Sequence, residues 1–239
     1  MRLATREWGP EGEGPRPTAL LVHGIMSDSR TWRLIGPALA ARGYHVVAVD
    51  LRGHGASARD TDYAPAAYGA DLVETMAAFD PPALAIGHSL GGLALLCAVD
   101  ALRPDRAVYV DPAWNLAPLG QSFDPSIFVR FADAVSAQTI TALNPDWAAE
   151  DVEIELATLQ CWDRHTATAL APLAGTSAVP TATAVPSMLM LPGRSPLLAA
   201  HETDALRAAG FTVRTVPGTG HTIHRDDPAG FVTALEGWV

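Results

Sequence analysis

The stretch Ala83-Leu84-Ala85-Ile86-Gly87-His88-Ser89-Leu90-Gly91-Gly92-Leu93-Ala94-Leu95-Leu96 decides the fold. Its first five residues form a short apolar run ending at glycine, which reads as a buried strand. From Leu90 to Leu102 the chain is apolar at helical length, so a helix starts immediately behind Ser89. Gly87-His88-Ser89-Leu90-Gly91 therefore matches G-x-S-x-G between a strand and a helix, a setting that exposes the serine on a sharp, strained turn. Glycine is required two positions before and two after the serine, because Cβ atoms there collide in so tight a turn. The new helix also directs free backbone N–H groups toward negative charge developing at the serine.

Working outward, strand-like and helix-like segments alternate on both sides. Thr18–His23 and Tyr44–Asp50 are apolar or valine-rich strands, separated by a helical stretch over Ser29–Arg42 that stops at Gly43. A helix over Ala64–Phe79 precedes the motif strand, and Ala107–Val110 is the strand after the motif helix. The alternation then lapses from Pro112 to about Val185, a stretch with helix-like pieces at Phe128–Ala137 and Trp147–Gln160. It resumes with strand Met188–Leu191, helix Leu197–Ala209, strand Phe211–Val216 and helix Pro228–Val239. This is the pattern of a mostly parallel sheet covered by helices. The implied organisation is one core, residues 1–111 and 186–239, interrupted by a helical insertion at 112–185.

A serine hydroxyl needs a base to become nucleophilic at neutral pH. The 239-residue chain has no lysine, all 16 of its basic residues being arginine, so a Ser–Lys arrangement is excluded and the base must be histidine. Of the eight histidines, His221 follows Gly218-Thr219-Gly220 between the last strand and the last helix, the chain order expected of a base serving G-x-S-x-G. His224 reads as a packing neighbour, and His221-x-x-His224 is too sparse for a metal site. The second requirement is an oxyanion hole of backbone N–H groups. The amide of Leu90 supplies one, and the turn His23-Gly24-Ile25-Met26 supplies the amide of Ile25, with His23 anchoring the loop.

Composition removes other classes. Without lysine there is no Schiff-base lysine and no GxxxxGK[ST] phosphate loop. A net charge of −10 with scattered arginines argues against a nucleic-acid partner. No segment has the ~20 apolar residues of a membrane span, and the charged beginning MRLATREWGP lacks the apolar core of a signal peptide, so the expected setting is cytoplasmic. Cys97 and Cys161 have no metal-ligand spacing, and Cys97, in an apolar run, reads as a buried free thiol.

Together, HGIMSD (23–28), DLRGHGAS (50–57), GHSLGG (87–92) and GTGHTIHRDDP (218–228) resemble the α/β-hydrolase superfamily over nearly the whole chain. The resemblance implies a doubly wound, mostly parallel sheet with a helical cap inserted after the sixth strand. Serine at the elbow argues against the haloalkane dehalogenase and epoxide hydrolase branches, which use aspartate there. One feature departs from the superfamily pattern. Its usual acid lies in a G-x-x-D segment after the seventh strand, and here that segment reads Gly193-Arg194-Ser195-Pro196. The acid that orients the imidazole is therefore sought at Asp111, which ends the preceding strand, with Glu202 and Asp204 as alternatives.

The expected chemistry is attack by Ser89 on an acyl carbonyl, with His221 as base and Asp111 as acid, and no metal or organic cofactor. Met26, His88, Trp114, Phe123, Phe128 and Trp162 are the candidate substrate-binding residues, suggesting a small, largely apolar substrate. No cluster of arginines faces the motif loops, and Arg194 stands apart because it occupies the loop where the acid normally sits. Carboxylic-ester hydrolysis, lactones and thioesters included, is the leading expectation. A C–C hydrolase, lyase or acyltransferase on the same fold, or a slow-turnover ligand-binding module, are the alternatives. Oligomeric state is left open.

Overall fold

A computed structural model describes residues 1–9, 16–120 and 123–239. The elements run β1 (Thr5–Trp8), β2 (Thr18–Val22), α1 (Ile35–Ala40), β3 (His45–Val49), α2 (Pro65–Met76), β4 (Pro82–His88), α3 (Leu90–Leu102) and β5 (Arg106–Val110). Then come α4 (Ser126–Ala134), α5 (Ala137–Leu143), α6 (Ala149–Cys161) and α7 (His165–Thr168), before the sheet resumes. The remainder is β6 (Ser187–Pro192), α8 (Ala200–Ala208), β7 (Thr212–Val216), α9 (Ile223–Asp226) and α10 (Pro228–Ala234).

The seven strands form one sheet in the order β1-β3-β2-β4-β5-β6-β7, parallel throughout except for β1, which pairs antiparallel with β3. Adjacent strand residues split between two cores. Leu20, Val22, Val47 and Val49 face the layer that holds Leu72 of α2, Leu95 of α3 and Leu206 of α8. Ala19, Leu21, Val46 and Ala48 face Ile35 and Leu39 of α1 and Phe231 of α10. Both faces are covered, which is why the strands are near-continuous apolar runs. From β2 the chain steps outward to β3 on one side, then returns to β4 and proceeds the other way. The carboxyl ends of β2 and β4 thus border the point where strand order reverses, where ligand sites in open α/β sheets form.

Several local expectations shift. The helix anticipated over Ser29–Arg42 is a 3-10 turn at Ser29–Trp32 followed by the short α1. The stretch anticipated as Phe128–Ala137 is α4, which ends before extended Val135, and a new helix is capped by the Ser136 hydroxyl. Among the described residues the helical insertion follows the fifth strand in chain order, where a sixth was expected, with one described strand, β1, ahead of the first parallel one. Its base is closed by a bridge between Asn115 and Ser177. It carries a small core of Leu159, Trp162 and Ala167 seated on Met26. Cys97 is exposed, not buried. It sits on the flank of α3 where Gly69 of α2 passes close by, and a Cβ on Gly69 would lie 2.8 Å from Cys97 Cβ. Cys161 is likewise an exposed free thiol. No helix among the described residues is long and apolar enough to cross a membrane.

Candidate active site

Ser89 sits between β4 and α3 with φ +53° and ψ −117°, a conformation that costs a non-glycine residue about 1–3 kcal/mol. Backbone hydrogen bonds hold it there. Its N–H donates to the Val110 carbonyl at 3.0 Å, and its own carbonyl accepts from Gly92 and Ala113, each at 3.0 Å. The flanking glycines are demanded by close approach: a Cβ on Gly87 would lie 2.5 Å from the Gly91 carbonyl oxygen, and one on Gly91 would lie 2.4 Å from that of Val22.

His221 lies on the loop between β7 and α9. Its Nδ1 donates to Asp111 Oδ2 at 2.6 Å, which leaves Nε2 as the ring nitrogen free to accept a proton. Asp111 is fully buried at the end of β5 with φ +37°, and its N–H donates to the Met190 carbonyl at 2.9 Å. The alternatives are engaged elsewhere. Glu202 accepts from Asn115 Nδ2 at 2.6 Å and from the Ala199 N–H at 2.8 Å, and Asp204 pairs with Arg207 on the surface. Arg194 is exposed and does not line the cavity.

His88 supports the loop from beneath. Its Nε2 donates to the His221 carbonyl at 2.9 Å, and the two rings lie 4.6 Å apart. Burial pushes His88 well below the ordinary imidazole range, with His221 and His224 adding to the effect, so it is neutral. His224 is depressed in the same way, first by burial and then by Arg225, and stacks on Trp32 at 4.4 Å between centroids. His23 bridges the loop it precedes: Nδ1 donates to the Gly24 carbonyl at 2.6 Å, and Nε2 accepts from the Leu51 N–H at 3.0 Å.

Leu90 is the first residue of α3, so its N–H is one of those a helix leaves without an intrahelical carbonyl. Ile25 lies in the turn after β2, where Met26 adopts φ +65°. Gly24 brings this turn against the elbow, and a Cβ there would meet His88 Nδ1 at 3.0 Å and Ser89 Cβ at 3.1 Å. Ile25, Ser89, Leu90 and His221 all line one cavity of about 390 Å³, within the range of small-molecule sites.

Met26, His88, Phe123 and Phe128 line that cavity, but Trp114 and Trp162 do not. Trp114 packs between Tyr109 and Phe211 with its indole N–H on the Gly92 carbonyl at 3.2 Å. Trp162 is buried in the insertion with its N–H on the Thr166 hydroxyl. Both indoles spend their polar edge and their area on packing. The cavity wall is apolar except for a few groups, among them Glu155 of α6 and Arg225. Arg225 donates to Glu155 Oε2 and to the Asp151 carbonyl, each at 2.5 Å, and Arg33 donates to Asp151 Oδ2 at 2.7 Å. These bonds tie α6 to the core. Among the described residues no three His, Cys, Asp or Glu side chains are grouped as metal ligands would be.

The sequence does not single out Glu155 or Arg225 of the cavity wall, nor Ser195 beside Asp111. Ser195, in the loop after β6, donates its hydroxyl to Asp111 Oδ1 at 2.5 Å. Its only signal in the sequence is its place in Gly193-Arg194-Ser195-Pro196, the segment from which the acid is missing.

Comparison with known proteins places the chain. An 81-residue stretch, 33% of the chain, is 42% identical to an uncharacterized protein of Mycobacterium tuberculosis, of which it spans only 24%. Esterase YbfF of Escherichia coli is 25% identical over 98% of this chain and 98% of its own. Among solved structures, a hydrolase from Pseudomonas aeruginosa superposes with a TM-score of 0.75 at 22% identity, covering 98% of this chain and 92% of that one. The sequence profile of the alpha/beta hydrolase family matches residues 19–234, and the chain belongs to that family.

Proposed function

We propose that this protein is a serine hydrolase that cleaves carboxylic esters, lactones or thioesters of small, largely apolar substrates. The observation that carries the reading is the 2.6 Å bond from His221 Nδ1 to Asp111 Oδ2 at the wall of an apolar cavity that Ser89 also lines. In this mechanism His221 Nε2 takes the Ser89 proton as Oγ attacks the acyl carbonyl. Asp111 holds the imidazole tautomer and offsets the imidazolium charge. The Leu90 and Ile25 amides receive the oxyanion, and His221 returns the proton to the leaving oxygen or sulfur. Water, activated by the same imidazole, then releases the acid and restores Ser89. Residues 112–185 act as a cap over the core of residues 1–111 and 186–239, closing the cavity with Phe123 and Phe128. The full-length likeness to a protein named an esterase supports the same reading.

Labelling with a fluorophosphonate probe tests it. The wild type is expected to be labelled and to hydrolyse p-nitrophenyl butanoate, and Ser89→Ala to do neither. A wild type left unlabelled at neutral pH would overturn the claim of an activated serine. A series of p-nitrophenyl esters and lactones of graded chain length then defines the acyl group.

A further inference from the structure

We propose that Ser195 is a positioning residue for the acid of this site: its hydroxyl holds the Asp111 carboxyl group in the orientation that accepts from His221. The proposal rests on the hydrolase reading for its catalytic consequence, and its geometry stands apart from that reading.

The direction of the bond is forced by the partners of the hydroxyl. Ser195 Oγ accepts the N–H groups of Leu198 at 2.9 Å and Leu197 at 3.1 Å. Its oxygen is thus occupied by two donors, and its single proton goes to Asp111 Oδ1 at 2.5 Å. Two N–H groups pulling electron density from the oxygen also make the O–H a stronger donor. Asp111 is wholly buried, where an ionised carboxylate without hydrogen bonds is costly. Ser195 satisfies Oδ1, His221 satisfies Oδ2, and the carboxylate plane is pinned from both sides.

The arrangement follows from the sheet. β5 and β6 are parallel neighbours, with Val110 paired to Met190, so Asp111 and the loop after β6 emerge side by side at the same edge. That loop carries no carboxylate between Gly193 and Pro196 and contributes a hydroxyl instead. The acid function is thereby divided between two strand ends. β5 carries the charge and β6 carries the donor that orients it.

The test pairs a spectroscopic signature with chemistry at Ser89. The proton on His221 Nδ1, held by Asp111, is observed by NMR, and fluorophosphonate labelling rate is measured in parallel. In Ser195→Ala the resonance is expected to move and broaden, and labelling to slow by about tenfold, while Ser195→Thr restores both. Ser195→Cys keeps the size of the side chain but offers only a weak S–H donor. It is expected to move the resonance in the same direction as alanine. An unchanged resonance and labelling rate in both Ser195→Ala and Ser195→Cys would overturn the proposal. If the wild type is not labelled but its resonance responds to these variants, the hydrolase reading fails and the positioning role stands.

Discussion

Asp111→Asn changes one atom of the buried carboxylate and reverses the hydrogen-bond logic around it. In the wild type both carboxylate oxygens accept: Oδ1 from the Ser195 hydroxyl at 2.5 Å and Oδ2 from His221 Nδ1 at 2.6 Å. An asparagine can offer one oxygen and one NH₂. With its oxygen toward Ser195, the NH₂ faces His221 Nδ1 and drives the imidazole proton to Nε2, so the base is lost. With its oxygen toward His221, the NH₂ faces a hydroxyl whose oxygen already accepts from Leu197 and Leu198 and whose proton has lost its acceptor. The useful orientation therefore forfeits a hydrogen bond to a charged group, about 1.5–3 kcal/mol. Loss of the negative charge beside the imidazolium adds a comparable amount. A fall in kcat/KM of about 10⁴-fold, near 5.4 kcal/mol of transition-state stabilisation, is the expected sum. It is measured on p-nitrophenyl butanoate, with circular dichroism and thermal melting to verify that the fold survives. Activity within tenfold of the wild type in a folded Asp111→Asn protein would refute the reasoning and transfer the acid to Glu202 or Asp204.

Two further outcomes concern the scaffold. Gly91→Ala puts a Cβ 2.4 Å and 2.5 Å from the carbonyl oxygens of Val22 and His23, so it is expected to lower stability by more than about 3 kcal/mol, read as a fallen denaturant midpoint or loss of soluble protein. Acid stability is set by buried histidines. Burial lowers His23, His88 and His224 in the folded state and takes His54 down to about 3, so the unfolded chain binds these protons first as pH falls below 6.5. Each therefore removes up to about 1.4 kcal/mol per pH unit from 6.5 down toward its folded value. Melting temperature is expected to hold above pH 7 and to drop steeply between pH 6 and 4, and a flat profile there would contradict the neutral, buried histidines.

What could be read from the chain alone was whatever is set by neighbours in sequence. The serine elbow is one such feature, because its strain, its two glycines and the helix behind it all lie between Gly87 and Gly92. The β-α rhythm is another, since strands buried on both faces must be apolar throughout and so declare themselves locally. β1 gives no such signal, because it is a four-residue edge strand with an exposed pattern and no apolar run. Trp114 and Trp162, expected at the cavity, pack elsewhere, and Cys97, expected to be buried, is exposed on the flank of α3. Residue type says how much area an indole or a thiol can bury, but not which neighbours the fold sets against it.

The proposed acid lies between these limits. Sequence order narrowed it to the strand end at Asp111 or to α8, and only tertiary structure brings Asp111 to His221, 110 residues away along the chain. Ser195 has no signal in the sequence beyond its place in the segment that lacks the acid. It meets Asp111 across 84 residues because parallel pairing of β5 with β6 brings two loop starts to the same edge. Backbone geometry and apolar periodicity are local and repeat along the chain. A hydrogen bond between side chains on neighbouring strand ends depends on sheet order and register, which no single segment encodes.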